Sequence, residues 1–284
     1  MYECVISRRY LRAKHRHGFI SLISLISVIV ITVGVIALIV VLSVYSGFTD
    51  GLRDQILGIN SHIIVQRVEG AIDNYDLKRD QVLSVEGVNG ATPYLYAQTL
   101  VSGTAGGSGI ILRGIEPETA KKVVSLSEQM IAGSIDDLTF DQDERLPPII
   151  LGAQLADDLR VSVGGKVRLI SPSGPLTPMG VIPKIKTCRI AGIFESGMYE
   201  YDSSLAYMHI HAVQEFLEVG DVAHGIEVLV DKELLNKADE VAQAIVAKVG
   251  PGTIARDWMS MNRNLFAAFK LEKIGMFICV ALII

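Results

Sequence analysis

The chain has 284 residues, 50% of them apolar, and a formal net charge of −5. The apolar residues gather at the two ends, while residues 47–269 carry 19 Lys and Arg against 29 Asp and Glu. Such an acidic middle section excludes binding to the phosphate backbone of nucleic acid and lying flat on anionic lipid. Of the cysteines Cys4, Cys188 and Cys279, only Cys188 lies in that section. No disulfide can form within it, so its own core must hold it.

Residues 1–18 are basic, with Arg8, Arg9, Arg12, Lys14 and Arg16. They read either as an interfacial helix, with Val5, Ile6, Tyr10 and Leu11 on one face, or as plain stop-transfer charge. The stretch from Phe19 to Val44 has 26 residues and no charge. As a helix it spans roughly 39 Å, more than the roughly 30 Å of a bilayer core. It is too long for the apolar core of a cleaved signal peptide, and no polar face appears in it. The basic flank predicts an internal N-terminus and an external chain after Gly47. Phe48, Leu52, Ile56 and Ile59 continue the helical spacing as a stalk toward Gly58–Asn60.

Beyond the stalk, alternation predicts strands at His62–Arg67, Ala91–Ser102 and Ile110–Gly114, and a helix at Tyr75–Leu83. The glycine-rich Gly103–Gly109 reads as a turn, and Pro117 opens a helix. Ser134–Pro148 is acidic and loop-like. A strand at Ile149–Leu151, a helical turn at Ala153–Leu159 and a strand at Lys166–Ile170 follow. Ser171–Pro183 then holds four of the nine prolines. That run suits neither a central strand nor a helix. With strands on both sides, at Lys166–Ile170 and Lys184–Phe194, it reads as a long, stiff hairpin loop projecting from a sheet. Further strands are expected at Ser204–Ile210 and Gly225–Val230, and an amphipathic helix over Lys232–Val249, stopped by Gly250. From Asp257 no helix breaker occurs, and Ile274–Ile284 is uncharged. This is the expected start of a second membrane span, in a sequence read as a piece of a larger multi-span protein.

Catalytic motifs are lacking. Gly164-Gly165-Lys166 is followed by Val167, and Arg160 stands where a P-loop needs its first glycine. His209 and His211, read on one strand, would share a face, but no third metal ligand accompanies them. Asp136-Asp137 and Asp157-Asp158 read as solvated surface, and Tyr199–Asp202 as a strand-entry turn. The chain is not expected to be an enzyme.

Four motifs carry a resemblance: GVIALIVVLSVYSGF (Gly34–Phe48), IILGAQLADDLRVSVGGKVRL (Ile149–Leu169), TPMGVIP (Thr177–Pro183) and NLFAAFKLEK (Asn264–Lys273). Together they resemble the permease subunits of type VII ABC transporters, which include the macrolide exporter, the cell-division permease and the lipoprotein-releasing (Lol) permeases. The first, third and fourth motifs favour the lipoprotein-releasing branch. The resemblance implies an α+β periplasmic domain inserted between transmembrane α-helices of the bacterial inner membrane. The expected divisions are a cytoplasmic segment 1–18, a first transmembrane helix 19–46, a periplasmic domain 47–270 and the start of a second transmembrane helix 271–284. Within 47–270, residues 47–100 and 212–256 would form a porter-like α/β subdomain. Residues 101–211 would form a β-rich one carrying the projecting hairpin 171–183.

The resemblance further implies a hairpin that hooks a soluble periplasmic lipoprotein chaperone through Pro178 and Met179, beside a pad that includes Arg168 and Lys186. Ile185 replaces a polar residue expected there. Lipoprotein acyl chains would meet Val40, Val44, Phe48 and Leu52, a stripe that also suits lipid or helix packing. The implied partners are a cytoplasmic ABC ATPase, a second permease subunit (same or homologous), the chaperone, the lipoprotein cargo and the membrane, with no nucleic acid. No cofactor is expected on this chain, ATP being bound by the partner subunit. A related permease for small-molecule export or cell-division signalling, or an extracytoplasmic sensor domain, are the alternatives.

Overall fold

The structure, a computed structural model, describes residues 18–59, 61–141, 145–172, 176–177 and 180–283. The basic segment before Gly18 lies outside them, as do Pro178 and Met179. The chain divides into two compact units, Met1–Asp54 with Asn264–Ile284, and Gln55–Arg263.

Helix α1 runs from Gly18 to Ile59 without a break, as the absence of Pro and the apolar run require. Within it Leu22–Gly47 is long and apolar enough to cross a membrane. Two of its hydroxyls bond back along the helix: Ser27 donates to the Ile23 carbonyl at 2.9 Å and Thr32 to the Val28 carbonyl at 2.7 Å.

The second unit contains β1 (Ile63–Arg67), β2 (Ile72–Asp73), β3 (Val88–Ser102), β4 (Gly107–Ile115), β5 (Met130–Ala132), β6 (Pro148–Gly152) and β7 (Lys166–Ser171). It continues with β8 (Leu176–Thr177), β9 (Gly180–Val181), β10 (Lys184–Phe194), β11 (Leu205–His209), β12 (Val222–Ala223), β13 (Gly225–Val230) and β14 (Thr253–Asp257). Its helices are α2 (Tyr75–Leu83), α3 (Pro117–Val123), α4 (Leu126–Gln129), α5 (Ala153–Asp158), α6 (Tyr199–Ser204), α7 (Ile210–Leu217), α8 (Ala238–Val249) and α9 (Trp258–Met261). Helix α10 (Arg263–Ile283) leads into the first unit.

Ten strands form one mixed sheet in the order β14-β1-β13-β3-β4-β11-β6-β10-β5, and β7 pairs with both β10 and β3. That double pairing closes β3, β4, β11, β6, β10 and β7 into a six-stranded ring. Closure leaves few free edges. Alternate residues such as Val101, Leu112, Ile149, Leu169, Cys188 and Ile190 are buried, as period-2 patterning demands. The fifteen-residue β3 serves two neighbourhoods. Val88–Tyr94 pairs with β13, and Leu100–Ser102 with β7, while β4 lies along the other edge. The division expected at residue 100 therefore falls inside a strand. Around β14, β1 and β13 the layer is α/β, with Ile63, Val65, Val228 and Ile245 in its core.

Several local expectations change. The helix expected over Lys232–Val249 opens with a 3₁₀ segment at Lys232–Lys237. The Leu235 carbonyl accepts from the Trp258 indole at 3.3 Å, which diverts it from an α-helical ladder. Tyr199–Asp202 lies in helix α6 and not in a turn. Asp202 is buried and accepts from the Ser196 backbone and hydroxyl, each at 2.8 Å. His209 and His211 do not share a strand: His209 ends β11 and caps α7, on which His211 lies. β14 was not expected, being a short, mixed-polarity strand at the sheet edge.

Candidate functional site

The hairpin is built by two successive ladders. β7 and β10 pair antiparallel from Lys166↔Arg189 to Ser171↔Lys184. Beyond them Leu176 pairs with Val181 and Thr177 with Gly180.

Register decides which side chains at the hairpin base act together. Arg168 pairs with Thr187 and with Ser102, whereas Lys186 pairs with Leu169. Directly paired residues share a face and successive residues alternate, so Arg168 and Lys186 project from opposite faces. The structure does not bring them together. Arg168 is exposed. Lys186 reaches Glu215 Oε1 on α7 at 3.1 Å. Lys184, on the same face, reaches Glu218 Oε2 at 2.8 Å and donates to the Leu217 carbonyl at 3.3 Å. Two cations at a helix C-terminus complement its dipole and its free carbonyls.

On the Arg168 face, Ile185, Ile170 and Leu100 lie side by side across three strands. Ile185 is 60% exposed and Leu100 50%, and Ile182 extends the apolar surface toward the loop. Sequence reading noticed Ile185 only as a departure from a pattern. Leu100 was missed. An apolar residue on the outward phase of β3, two positions after Gln98, was the available signal.

A second constellation was also missed. Arg113 on β4 and Glu227 on β13 meet across β3, both buried, as an ion pair. The guanidinium lies over the rings of Tyr96 and Tyr207, at 5.5 and 5.6 Å from their centres. Burial pushes both phenols above their ordinary range, so they stay neutral. A lone Arg within Ile110–Ile115 and a lone Glu within Gly225–Val230 were the sequence signals.

The histidines form an aromatic cluster. The His209 and His211 rings are 5.2 Å apart, with Phe140 at 5.5 and 5.4 Å from them. Burial, and then the neighbouring His211, lower the His209 imidazole to about 4. Among the described residues no three His, Cys, Asp or Glu side chains are grouped to hold a metal.

In the first unit, Val40 and Val44 lie one turn apart on α1, and both are exposed. Phe48 and Leu52 share that helix, but their side chains are outside those described. α1 and α10 run antiparallel, with the Tyr45 hydroxyl 3.5 Å from the Phe269 carbonyl. Gly34, Ala37, Leu38 and Val41 face Gly275 and Met276 across an apolar cleft of about 600 Å³.

Residues 24–248 match the MacB-like periplasmic core domain family. The chain belongs to this family. It is 38% identical over 292 residues to the "Lipoprotein-releasing system transmembrane protein LolC" of Neisseria meningitidis serogroup B, covering 99% of this chain and 67% of that protein. A protein of the same name from Xylella fastidiosa (strain Temecula1) is 33% identical, covering 98% of this chain and 66% of its own length. The chain thus spans about two thirds of these relatives. Among solved structures, the periplasmic region of MacB from Actinobacillus actinomycetemcomitans is similar, with a TM-score of 0.49 and 10% identity, covering 75% of this chain and 95% of that one. In this MacB-like periplasmic core domain, the match begins inside α1 and ends in α8.

Proposed function

We propose that the chain is part of a permease subunit of an inner-membrane ABC transporter that extracts lipoproteins and passes them to a periplasmic chaperone. The observation that carries the reading is the β7–β10 hairpin, whose connection holds the TPMG sequence at Thr177–Gly180 and whose base exposes Ile182 and Ile185. The names of the relatives, lipoprotein-releasing system transmembrane proteins, support the same assignment. Pro178 and Met179 are the proposed hook. A loop stiffened by prolines loses little entropy when it docks.

In this reading the N-terminus is cytoplasmic, α1 crosses the inner membrane and Gln55–Arg263 is periplasmic. A second permease, the same or homologous, pairs with this one. A separate cytoplasmic ATPase binds and hydrolyses ATP, and this chain transmits its motion without chemistry of its own. Val40, Val44, Phe48 and Leu52 are proposed to meet the acyl chains at the outer membrane boundary. Withdrawing those chains from lipid costs about 0.8 kcal/mol per CH₂, so release needs both ATP and an apolar acceptor.

In this reading the pad's cation is Arg168, with Ile185, Ile170 and Leu100 beside it, and Lys186 acts as a strut to α7. The test is reconstitution of the full-length protein with its ATPase in proteoliposomes holding a lipidated protein. ATP-dependent appearance of that protein on a soluble lipoprotein chaperone supports the proposal. ATP-driven export of small molecules with no lipoprotein transfer overturns it.

A further inference from the structure

Two acidic stretches that the hairpin reading leaves unused come together at the far end of β10. The ends of β6 and β10 lie side by side there, with Gly152 paired to Phe194. A pocket of about 370 Å³ opens beside them, lined by Gln154 and Asp157 of α5, Glu195 and Gly197 after β10, and Tyr199 and Asp202 of α6. A close approach holds it in shape: a Cβ on Gly152 would overlap the Asp202 carbonyl, so α6 sits tight against the end of β6. Asp202 is 7% exposed. Its Oδ1 accepts from the Ser196 backbone and hydroxyl, whereas its Oδ2 accepts nothing among the described residues. Unlike the sealed Arg113 Nε, that oxygen keeps accessible surface.

Asp157, Glu195 and Asp202 bring three carboxylates to the lining, and no lining residue is cationic. None of the three is in an ion pair among the described residues. Such a pocket repels anions, the phosphate of a lipid headgroup included. Nor is it built for one metal ion, since among the described residues no three His, Cys, Asp or Glu side chains are grouped to hold one. Carboxylates spread over a recess suit a cation that spreads its donors. A guanidinium does so, with its N–H groups on a planar fork that also stacks on an aromatic ring. Tyr199 presents such a ring and is 67% exposed. An exposed apolar residue flanks the pocket as well. Ile131, on the edge strand β5, lies two positions after Gln129, whose carbonyl accepts from the Glu195 N–H at 2.9 Å. A free cation leaves Ile131 and Tyr199 in water, whereas a protein surface covers them.

We propose that this pocket receives an arginine side chain from a protein partner, its guanidinium donating to Asp202 Oδ2 and paired with Asp157 and Glu195 at the rim, against the Tyr199 ring. Charge-assisted bonds to a buried carboxylate supply the affinity, and the apolar rim excludes water from them. This docking does not depend on what the transporter carries.

The full chain in lipid nanodiscs is titrated against dye-labelled, N-acetylated and C-amidated decapeptides of leucine and serine with one central arginine, lysine, citrulline or glutamate, read by fluorescence anisotropy. The arginine peptide is expected to bind most tightly. Citrulline has the same shape without the charge and should bind about tenfold more weakly or not at all. Asp202→Asn keeps an oxygen for Ser196 but removes the charge, and should weaken the arginine peptide about tenfold. The double variant Asp157→Asn, Glu195→Gln changes only exposed positions and should weaken it severalfold. Thermal melts establish that each variant is folded, and if Asp202→Asn is not, the double variant decides. No binding of the arginine peptide, equal binding of the citrulline or lysine peptide, or undiminished binding to the double variant would each overturn the proposal. Displacement of the arginine peptide by equimolar spermidine or calcium would overturn it too, marking a site for free cations.

Discussion

Arg168 and Lys186 sit one register step apart on the β7–β10 ladder and project from opposite faces of the sheet. One is exposed at the hairpin base, and the other is tied to Glu215. A single flat pad cannot use both. Arg168→Ala is therefore expected to weaken chaperone capture severalfold, and Ile185→Asp to weaken it more, because it places a charge within the apolar row. Lys186→Met should leave capture within about twofold, since a partly exposed ion pair contributes only about 0–1 kcal/mol. Pull-down of the chaperone by the three variants, at matched expression, separates these outcomes.

The Arg113–Glu227 pair links strands on either side of β3 and is buried at both ends. Removing one partner strands the other charge. Glu227→Ala is expected to cost about 3–5 kcal/mol of stability, and the double variant Arg113→Met, Glu227→Leu much less. Urea unfolding followed by tryptophan fluorescence reads both, because Trp258 is buried in the same unit.

Acid should weaken this domain before its carboxylates titrate. The folded-state value for His209 is about 4, against an ordinary 6.5. The unfolded chain takes up the proton first as pH falls, so stability is lost between about pH 6.5 and 4 and levels off below. His62 adds to the same slope. Burial lowers its imidazole, outweighing the hydrogen bond to the Val230 backbone that raises it. His209→Asn retains a side chain able to cap α7 and should flatten the midpoint-against-pH curve in that window.

Cys188 lies within the ring with its thiol pushed up to about 12, chiefly by burial. The thiolate is the reactive form, so the native domain should resist maleimide. Labelling of an introduced Ile185→Cys should finish while Cys188 remains unmodified, and Cys188 should react only in denaturant. Equal rates at the two positions would place Cys188 outside the core.

Much of the fold was legible because its local signals agree. The helix at Tyr75–Leu83 and the strands at Lys184–Phe194 and Gly225–Val230 have the limits that alternation and breakers predict. Closure of the ring was not legible, since the pairing of Leu100–Ser102 with Arg168–Ile170 joins strands some seventy residues apart and leaves no local trace. The 3₁₀ opening before α8 depends on an indole from another element. At the hairpin, composition revealed a stiff loop, but only register could show that Arg168 and Lys186 face apart. The buried pair was visible as single charges in apolar strands, a pattern that identifies the residues but not that they meet.

Capture of the lipoprotein chaperone by the full-length protein, compared between the unaltered chain and Pro178→Arg, tests the central claim most directly. The substitution places a large cation where the proposed hook must enter its partner. The account predicts loss of capture with an unchanged melting temperature. Equal capture by the two proteins would contradict it.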